Sequence, residues 1–203
     1  MALNLKTLGL GALLATASAA HPSAAQRPAF DLSQLDPVAA ASVGSDLLRR
    51  APDAAIDELF QAVHASAQAP QDAAVLCALF EPDADRSAPA LQRAVDRLGP
   101  ASRERFADAL IRIALAGWQG QPQPYDPAAA QQALKVAAVK ATFLHDGFSA
   151  GLTADGTDAA SRDARCRSFR QLVGVLGNEP LPARAAATRW LLDQGLTLAV
   201  TAG

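Results

Sequence analysis

The sequence predicts an all-α fold, an irregular bundle of about seven or eight helices fastened by one disulfide, and three observations carry that prediction. Half of the 203 residues are hydrophobic but only 5% are aromatic, because alanine, the strongest helix former, supplies much of the apolar count. Apolar residues recur at spacings of three and four in one segment after another, with neither alternating runs nor a strand–helix rhythm. The only two cysteines, Cys77 and Cys166, fall on separate apolar helix faces.

The chain opens with the layout of an export signal. Lys6 and the amino terminus make a small positive end, Thr7 to Ala17 is apolar and uncharged, and small residues follow at Ala17-Ser18-Ala19-Ala20. The apolar stretch is about half of the roughly 20 residues that cross a bilayer as a helix, so cleavage is expected rather than a permanent anchor. The expected signal peptide is 1–20, with the cut between 19 and 25. No cysteine lies near those sites, which disfavours a lipid anchor. Residues 21–34, rich in proline, serine, alanine and glutamine, read as a flexible linker. Residues 35–203 read as a single helical domain with length enough for a substantial core.

Within that domain the helices are marked by their ends. Asp36-Pro37 supplies a cap and a first-turn proline for a helix to about Arg50, and Pro52 resets the chain. Asp53 to about Ala67 aligns Ile56, Leu59, Phe60 and Val63 on one face, with His64 at its edge. Pro70 starts a short helix through about Phe80 that has little polar face and is expected to be buried. After Glu81-Pro82-Asp83, the segment Ala88–Leu98 turns Leu91, Val95 and Leu98 inward, and Gly99-Pro100 ends it. From about Ser102 to Ala116 a further helix carries Phe106, Leu110, Ile113 and Gly117 on one face and an Asp108–Arg112 pair at i, i+4.

Trp118 to Tyr125 is the least helical stretch of the domain, with two prolines and a glycine in the run WQGQPQPY. Asp126-Pro127 repeats the cap-and-proline start and predicts the longest helix, to about Gly151, at the centre of the bundle. A polar turn from Gly151 to Asp158 follows. The next helix runs to about Leu176 with Cys166, Phe169, Val173 and Leu176 aligned, and the last spans about Ala183–Ala199 with Trp190, Leu191, Leu196 and Leu198 as inward candidates.

Net charge of −2 leaves no footprint for a polyanion, and loss of Lys6 with the leader would make it more negative. Nucleic-acid binding is therefore not expected. Lys135 and Lys140 are the only lysines after Lys6, the remaining basic charge being arginine. No function is read from that bias.

In an oxidising compartment the two cysteines are expected to pair, joining the N-terminal helical layer to the C-terminal one. A loop of this size is worth about 4–5 kcal/mol in the chain-entropy description. Neither cysteine sits in a C-x-x-C motif, so the bond reads as structural and not catalytic.

The reactive residues form no motif. His64 and His145 lack a second ligand at zinc-binding helical spacing, and His21 would suit copper only if it became the first residue and a second histidine arrived from elsewhere. Neighbouring helical residues project about 100° apart, so Asp146 does not orient His145 as a general base, and no nucleophile elbow accompanies them. Asp155 and Asp158 lack the calcium-loop series and read as a capping turn. No catalytic residue, metal or cofactor is assigned.

Two surface groups are candidates. Trp118, Gln121, Gln123 and Tyr125 combine amphipathic aromatics with hydrogen-bonding side chains on a stiff loop, a composition suited to a protein partner. Arg162, Arg165, Arg167 and Arg170 crowd one helix and suit an anion or acidic partner, against a simpler reading in which Asp163 pairs with Arg167 on a solvated face.

The expected function is therefore that of a periplasmic or secreted protein acting on another exported or envelope protein, in one version an inhibitor of the immunity type. The alternatives are a small-molecule or lipid carrier with an apolar cavity, and an enzyme whose site assembles from scattered residues such as His145, Asp146 and Arg170. No membrane span is expected once the leader is removed.

Overall fold

The computed structural model describes residues 36–201. The expected signal peptide, the linker and His21 lie outside the described residues. Among the described residues the chain forms nine helices and no strand. They are α1 (Pro37–Arg50), α2 (Asp53–Gln68), α3 (Pro70–Leu79), α4 (Ala88–Arg97), α5 (Pro100–Gln119), α6 (Pro127–Leu144), α7 (Phe148–Leu152), α8 (Ala159–Gly177) and α9 (Leu181–Thr201). None is long and apolar enough to cross a membrane.

The predicted caps form as hydrogen bonds. Asp36 Oδ1 accepts from the amides of Val38 and Ala39, Asp126 from Ala128, and Asp158 from Ser161. Each carboxylate satisfies donors that a helix start would otherwise leave unpaired. The Asp158 cap thus sits in the polar turn before α8, where its carboxylate also accepts from the Ser161 hydroxyl.

The expected central helix from Asp126 to Gly151 is two helices. The break falls at His145, which caps α6, and at Gly147, whose φ of 79° takes the left-handed conformation that favours glycine. Asp146-Gly147 is a turn signal, but the apolar spacing runs on through it, which is why the sequence reads as one helix. The centre of the bundle is instead α2, which packs against α5, α9, α3 and α8. Helix α6 buries only its alanine face, Ala130, Ala137 and Ala141, and leaves Val139 and Phe143 exposed.

Two apolar clusters surround α2. One joins Ile56 and Leu59 to Leu48 of α1, Ala109 and Ile113 of α5 and Ala185 of α9. The other joins Phe60 to Ala137 and Ala141 of α6, Phe148 of α7, Val175 and Leu176 of α8 and Ala187 of α9. A third, smaller group of Val75, Ala94 and Leu98 closes α3 on α4. In α9 the buried residues are Ala185, Ala187, Thr188 and Arg189, whereas Leu191, an expected inward residue, is exposed. The side chain of Leu198 lies outside the described residues.

Cys77 of α3 and Cys166 of α8 are bonded, with Cα atoms 5.1 Å apart and 89 residues between them. Around the bond, Phe80 stacks on Phe169 with ring centroids 4.6 Å apart, and Arg165 pairs with Glu81 through both carboxylate oxygens. The staple, an aromatic pair and an ion pair thus hold one junction between sequence-distant layers.

Charged side chains fasten the remaining crossings. The Arg189 guanidinium, 2% exposed, donates to the carbonyls of Leu48 and Ala51 and to Asp53 Oδ1, and lies 5.9 Å from the centroid of the Tyr125 ring. Burial lowers its pKa, with Asp53 opposing. Arg184 makes a two-pronged bond to the buried Asp57, at 2.7 and 2.8 Å, and donates to the Glu179 carbonyl. Arg112 pairs with Glu58 of α2 at 2.9 Å, a bond between α5 and α2 that helical spacing does not announce.

At the start of α5, Gly99 has no side chain to cap with, and Asp72 of α3 takes that role from across the fold. Its Oδ1 accepts from the Gly99 amide at 2.7 Å and its Oδ2 from the Ser102 hydroxyl at 2.6 Å. Ser102 Oγ in turn accepts from Ser66 and Arg105. The Ser102 bond first, then the Gly99 amide, hold Asp72 below the usual carboxylate range against the opposing effect of burial.

Two stability outcomes are expected. Replacing both cysteines (C77A with C166A) should lower unfolding free energy by up to about 4–5 kcal/mol; urea melts of the reduced wild type should coincide with those of the variant, and the unreduced wild type should show no free thiol by mass spectrometry. Because the folded pKa of Asp72 is depressed, its contribution is complete above its unfolded value of about 3.9 and is lost as pH falls through the lower folded value. Asp72→Asn should therefore cost about 1.5–3 kcal/mol at neutral pH and flatten the decline of stability below about pH 4, read from melts across pH.

Candidate functional site

The two sequence-predicted groups separate in space. Trp118 belongs to the last turn of α5 and is 80% exposed, so it does not cover the core. Ile111 and Leu115 precede it at helical spacing and are 53% and 60% exposed. These three make an outward apolar stripe that the sequence pattern, which placed Leu110 and Ile113 together, did not separate from the buried face.

The rest of the loop runs along the end of α1. Gln123 donates its amide to the Arg49 carbonyl at 2.8 Å and its Nε2 to the Gln121 carbonyl. Tyr125 is half-buried against Arg189, and its hydroxyl accepts or donates no hydrogen bond among the described residues. Burial pushes that hydroxyl above its ordinary pKa, with Asp193 adding to the effect. Tyr125 is thus a packing residue, while Trp118 faces outward.

The close seating of α1 on α5 sets this geometry. A Cβ on Gly117 would lie 2.5 Å from the Leu47 carbonyl oxygen and 2.9 Å from the Leu47 Cα. Only glycine permits that approach of two helix backbones.

The arginines of α8 also part. Arg165 is engaged with Glu81 and with the carbonyls of Ala154 and Gly156. Arg162 is exposed and lines neither cleft described here. Arg167 and Arg170 line a cleft of about 310 Å³ together with Gln171 and Gly174 of the same helix, Gln68 at the end of α2, and His145 at the end of α6. Arg167, Arg170, Gln171 and Gly174 follow helical spacing, so one face of α8 forms the wall. Asp163 forms no ion pair with Arg167 among the described residues. The contributions of Gln68 and His145 come from other helices and carry no signal in the sequence.

A second cleft, about 320 Å³, lies between α3 and α4 and is lined by alanines with Leu79, Asp85, Arg93 and Arg97. Among the described residues no three His, Cys, Asp or Glu side chains gather in a way that could hold a metal ion. No family model, curated protein or solved structure matches this chain.

Adding a methyl group where α1 and α5 touch tests how firmly the loop is placed. Gly117→Ala should destabilise the protein by about 1–3 kcal/mol and speed amide exchange at Gln123, whose hydrogen bond to Arg49 depends on that seating. Amide exchange followed by NMR gives the site-specific readout, and urea melts the stability.

Proposed function

We propose that the protein acts by binding another exported protein, through the apolar stripe Ile111, Leu115 and Trp118 on α5. The observation that carries this reading is the exposure of Trp118 at the end of that stripe. A tryptophan with an outward face and apolar neighbours is the residue type most enriched where partners bind. A second outward stripe, Val136, Val139 and Phe143 on α6, adds support, with Phe143 85% exposed.

An inhibitor or immunity-type protein of the periplasm is the concrete form of the proposal. The export signal expected at 1–20 and the structural disulfide both suit an oxidising compartment. A rigid, cross-linked helical body is well matched to blocking a partner's site, since a binder ordered beforehand loses little entropy on docking.

The alternatives have less support. A carrier needs an enclosed apolar cavity, whereas the two clefts are open to solvent and each holds two arginines. An enzyme would use His145 in its cleft. The lining there has no carboxylate to orient the ring and no nucleophile, and Asp146 is not part of it.

The test compares the wild type with L115S/W118S in capture from periplasmic extract and in size-exclusion chromatography. Both side chains are exposed, so the variant should fold as the wild type does. A partner recovered at a fixed stoichiometry by the wild type and at least tenfold less by the variant is the expected result. Equal recovery, or a wild-type homodimer dispersed by the variant, would overturn the reading.

A further inference from the structure

We infer that the outward face of α6 is the contact of a symmetric dimer, in which the ridge Val136, Val139 and Phe143 packs against the same ridge of a second, antiparallel copy of this chain. The contact is separate from the α5 stripe. Helix α5 packs on α1 and α2, and α6 on α7, α8 and α9, so the two stripes lie on different sides of the bundle. A dimer closed through α6 leaves both α5 stripes open for the partner proposed above.

The face of α6 is small where it meets the protein and large where it meets solvent. Ala130, Ala137 and Ala141 are fully buried, whereas Val139 is 57% and Phe143 85% exposed, with Val136 exposed beside them. Positions 136, 139 and 143 follow i, i+3, i+7 spacing and so form one ridge along about two turns. Covering such a ridge recovers roughly 25 cal/mol for each Å² of apolar surface taken from water.

The charge at the two ends of the ridge selects the occupant. Lys135 stands just before it and Asp146 in the turn that follows α6, and both are exposed. Neither forms an ion pair among the described residues. At 1.5 Å per residue they lie roughly 16 Å apart along the helix axis, too far to meet each other. In an antiparallel copy the order of charge reverses, so Lys135 of each chain comes opposite Asp146 of the other, and one two-fold axis makes both pairs at once. A parallel copy would set lysine against lysine. An unrelated partner would have to carry an anion and a cation at that same spacing, which a second copy has by symmetry.

The register that pairs these charges also pairs the ridges. The axis falls level with Lys140 and Ala141, so Val139 of each chain lies beside Phe143 of the other. Lys140 at the edge of the ridge is already bonded to Glu179 at 2.5 Å, which offsets the like charge of its mate across the axis. Three apolar side chains cover less than the roughly 800 Å² per chain of a standard interface, so the dimer is expected to be reversible, with a Kd on the order of 1–100 μM.

Analytical ultracentrifugation of the disulfide-bonded protein from about 1 μM to 1 mM tests the assignment. The wild type should pass from monomer to dimer and form nothing larger. V139S/F143S should weaken the dimer at least tenfold; both side chains are exposed, so urea melts should match the wild type. Lys135→Glu and Asp146→Lys, each of which sets like charges opposite one another, should weaken it about tenfold, and the exchange K135E/D146K should restore it. L115S/W118S should dimerise as the wild type does, whatever becomes of its partner binding. A monomer throughout the range, a dimer indifferent to V139S/F143S, no recovery in K135E/D146K, or dispersal by L115S/W118S would each overturn the proposal.

Discussion

Helix ends leave carbonyl oxygens without partners, and in this bundle arginine side chains, two of them from distant helices, supply donors to carbonyls at helix ends and in the turns that follow. Arg189 of α9 takes the carbonyls of Leu48 and Ala51 at the end of α1. Arg170 of α8 takes that of Ala67 at the end of α2. Arg86 takes those of Leu79, Glu81 and Ala84 after α3, Arg165 those of Ala154 and Gly156 after α7, and Arg184 that of Glu179 after α8. The planar guanidinium offers five donors in a fixed fork, so it can meet two or three acceptors at once, and its charge complements the negative end of the helix dipole. A lysine ammonium has neither the reach in several directions nor the geometry. The predominance of arginine over lysine thus has a structural use here. The price is desolvation, largest at Arg189, where burial works against the charge and Asp53 offsets part of it.

Those bonds matter because the apolar packing is built from small groups. Ala51, Ala67, Ala130, Ala137, Ala141 and Ala185 are fully buried, and Gly117 brings α5 into contact with the backbone of α1. Small residues let helices lie close and lose no rotamer freedom, but each removes little apolar area from water. Several of the larger apolar side chains are then left outside the core. Phe143, Val139, Leu115 and Trp118 sit on helix faces turned away from the alanine seams. The exposed stripes proposed to meet a partner are in this sense the other side of an alanine core.

What could be read from the sequence was local or covalent. Asp36, Asp126 and Asp158 announce helix starts because a cap acts on amides two or three residues away. Cys77 and Cys166 pair because no other cysteine competes and both lie on apolar faces. What could not be read depends on neighbours far along the chain. The break at Gly147 falls within a continuing apolar period, which outweighed the turn signal of Asp146-Gly147 in the sequence; the positive φ of Gly147 marks it. Asp72 caps a helix whose N-cap residue, Gly99, lies 27 residues later. Arg189 has the composition of a surface residue and the environment of a core one. The cleft wall was half legible: Arg167 and Arg170 were visible as a cluster on one helix, but Arg165 belongs with Glu81, and Gln68 and His145 join the cleft from α2 and α6.

Helix α8 connects these themes, since its two sides do different work. One side carries Arg165, Cys166 and Phe169, which bind Glu81, Cys77 and Phe80 and so clamp the helix to α3 and the turn that follows it. The other carries Arg167, Arg170, Gln171 and Gly174 toward the cleft. Arg170 is fixed again through Ala67, which ties the cleft wall to the end of α2, the central helix. The disulfide, the ion pair beside it and the carbonyl-bound Arg170 therefore fix α8 on both of its sides.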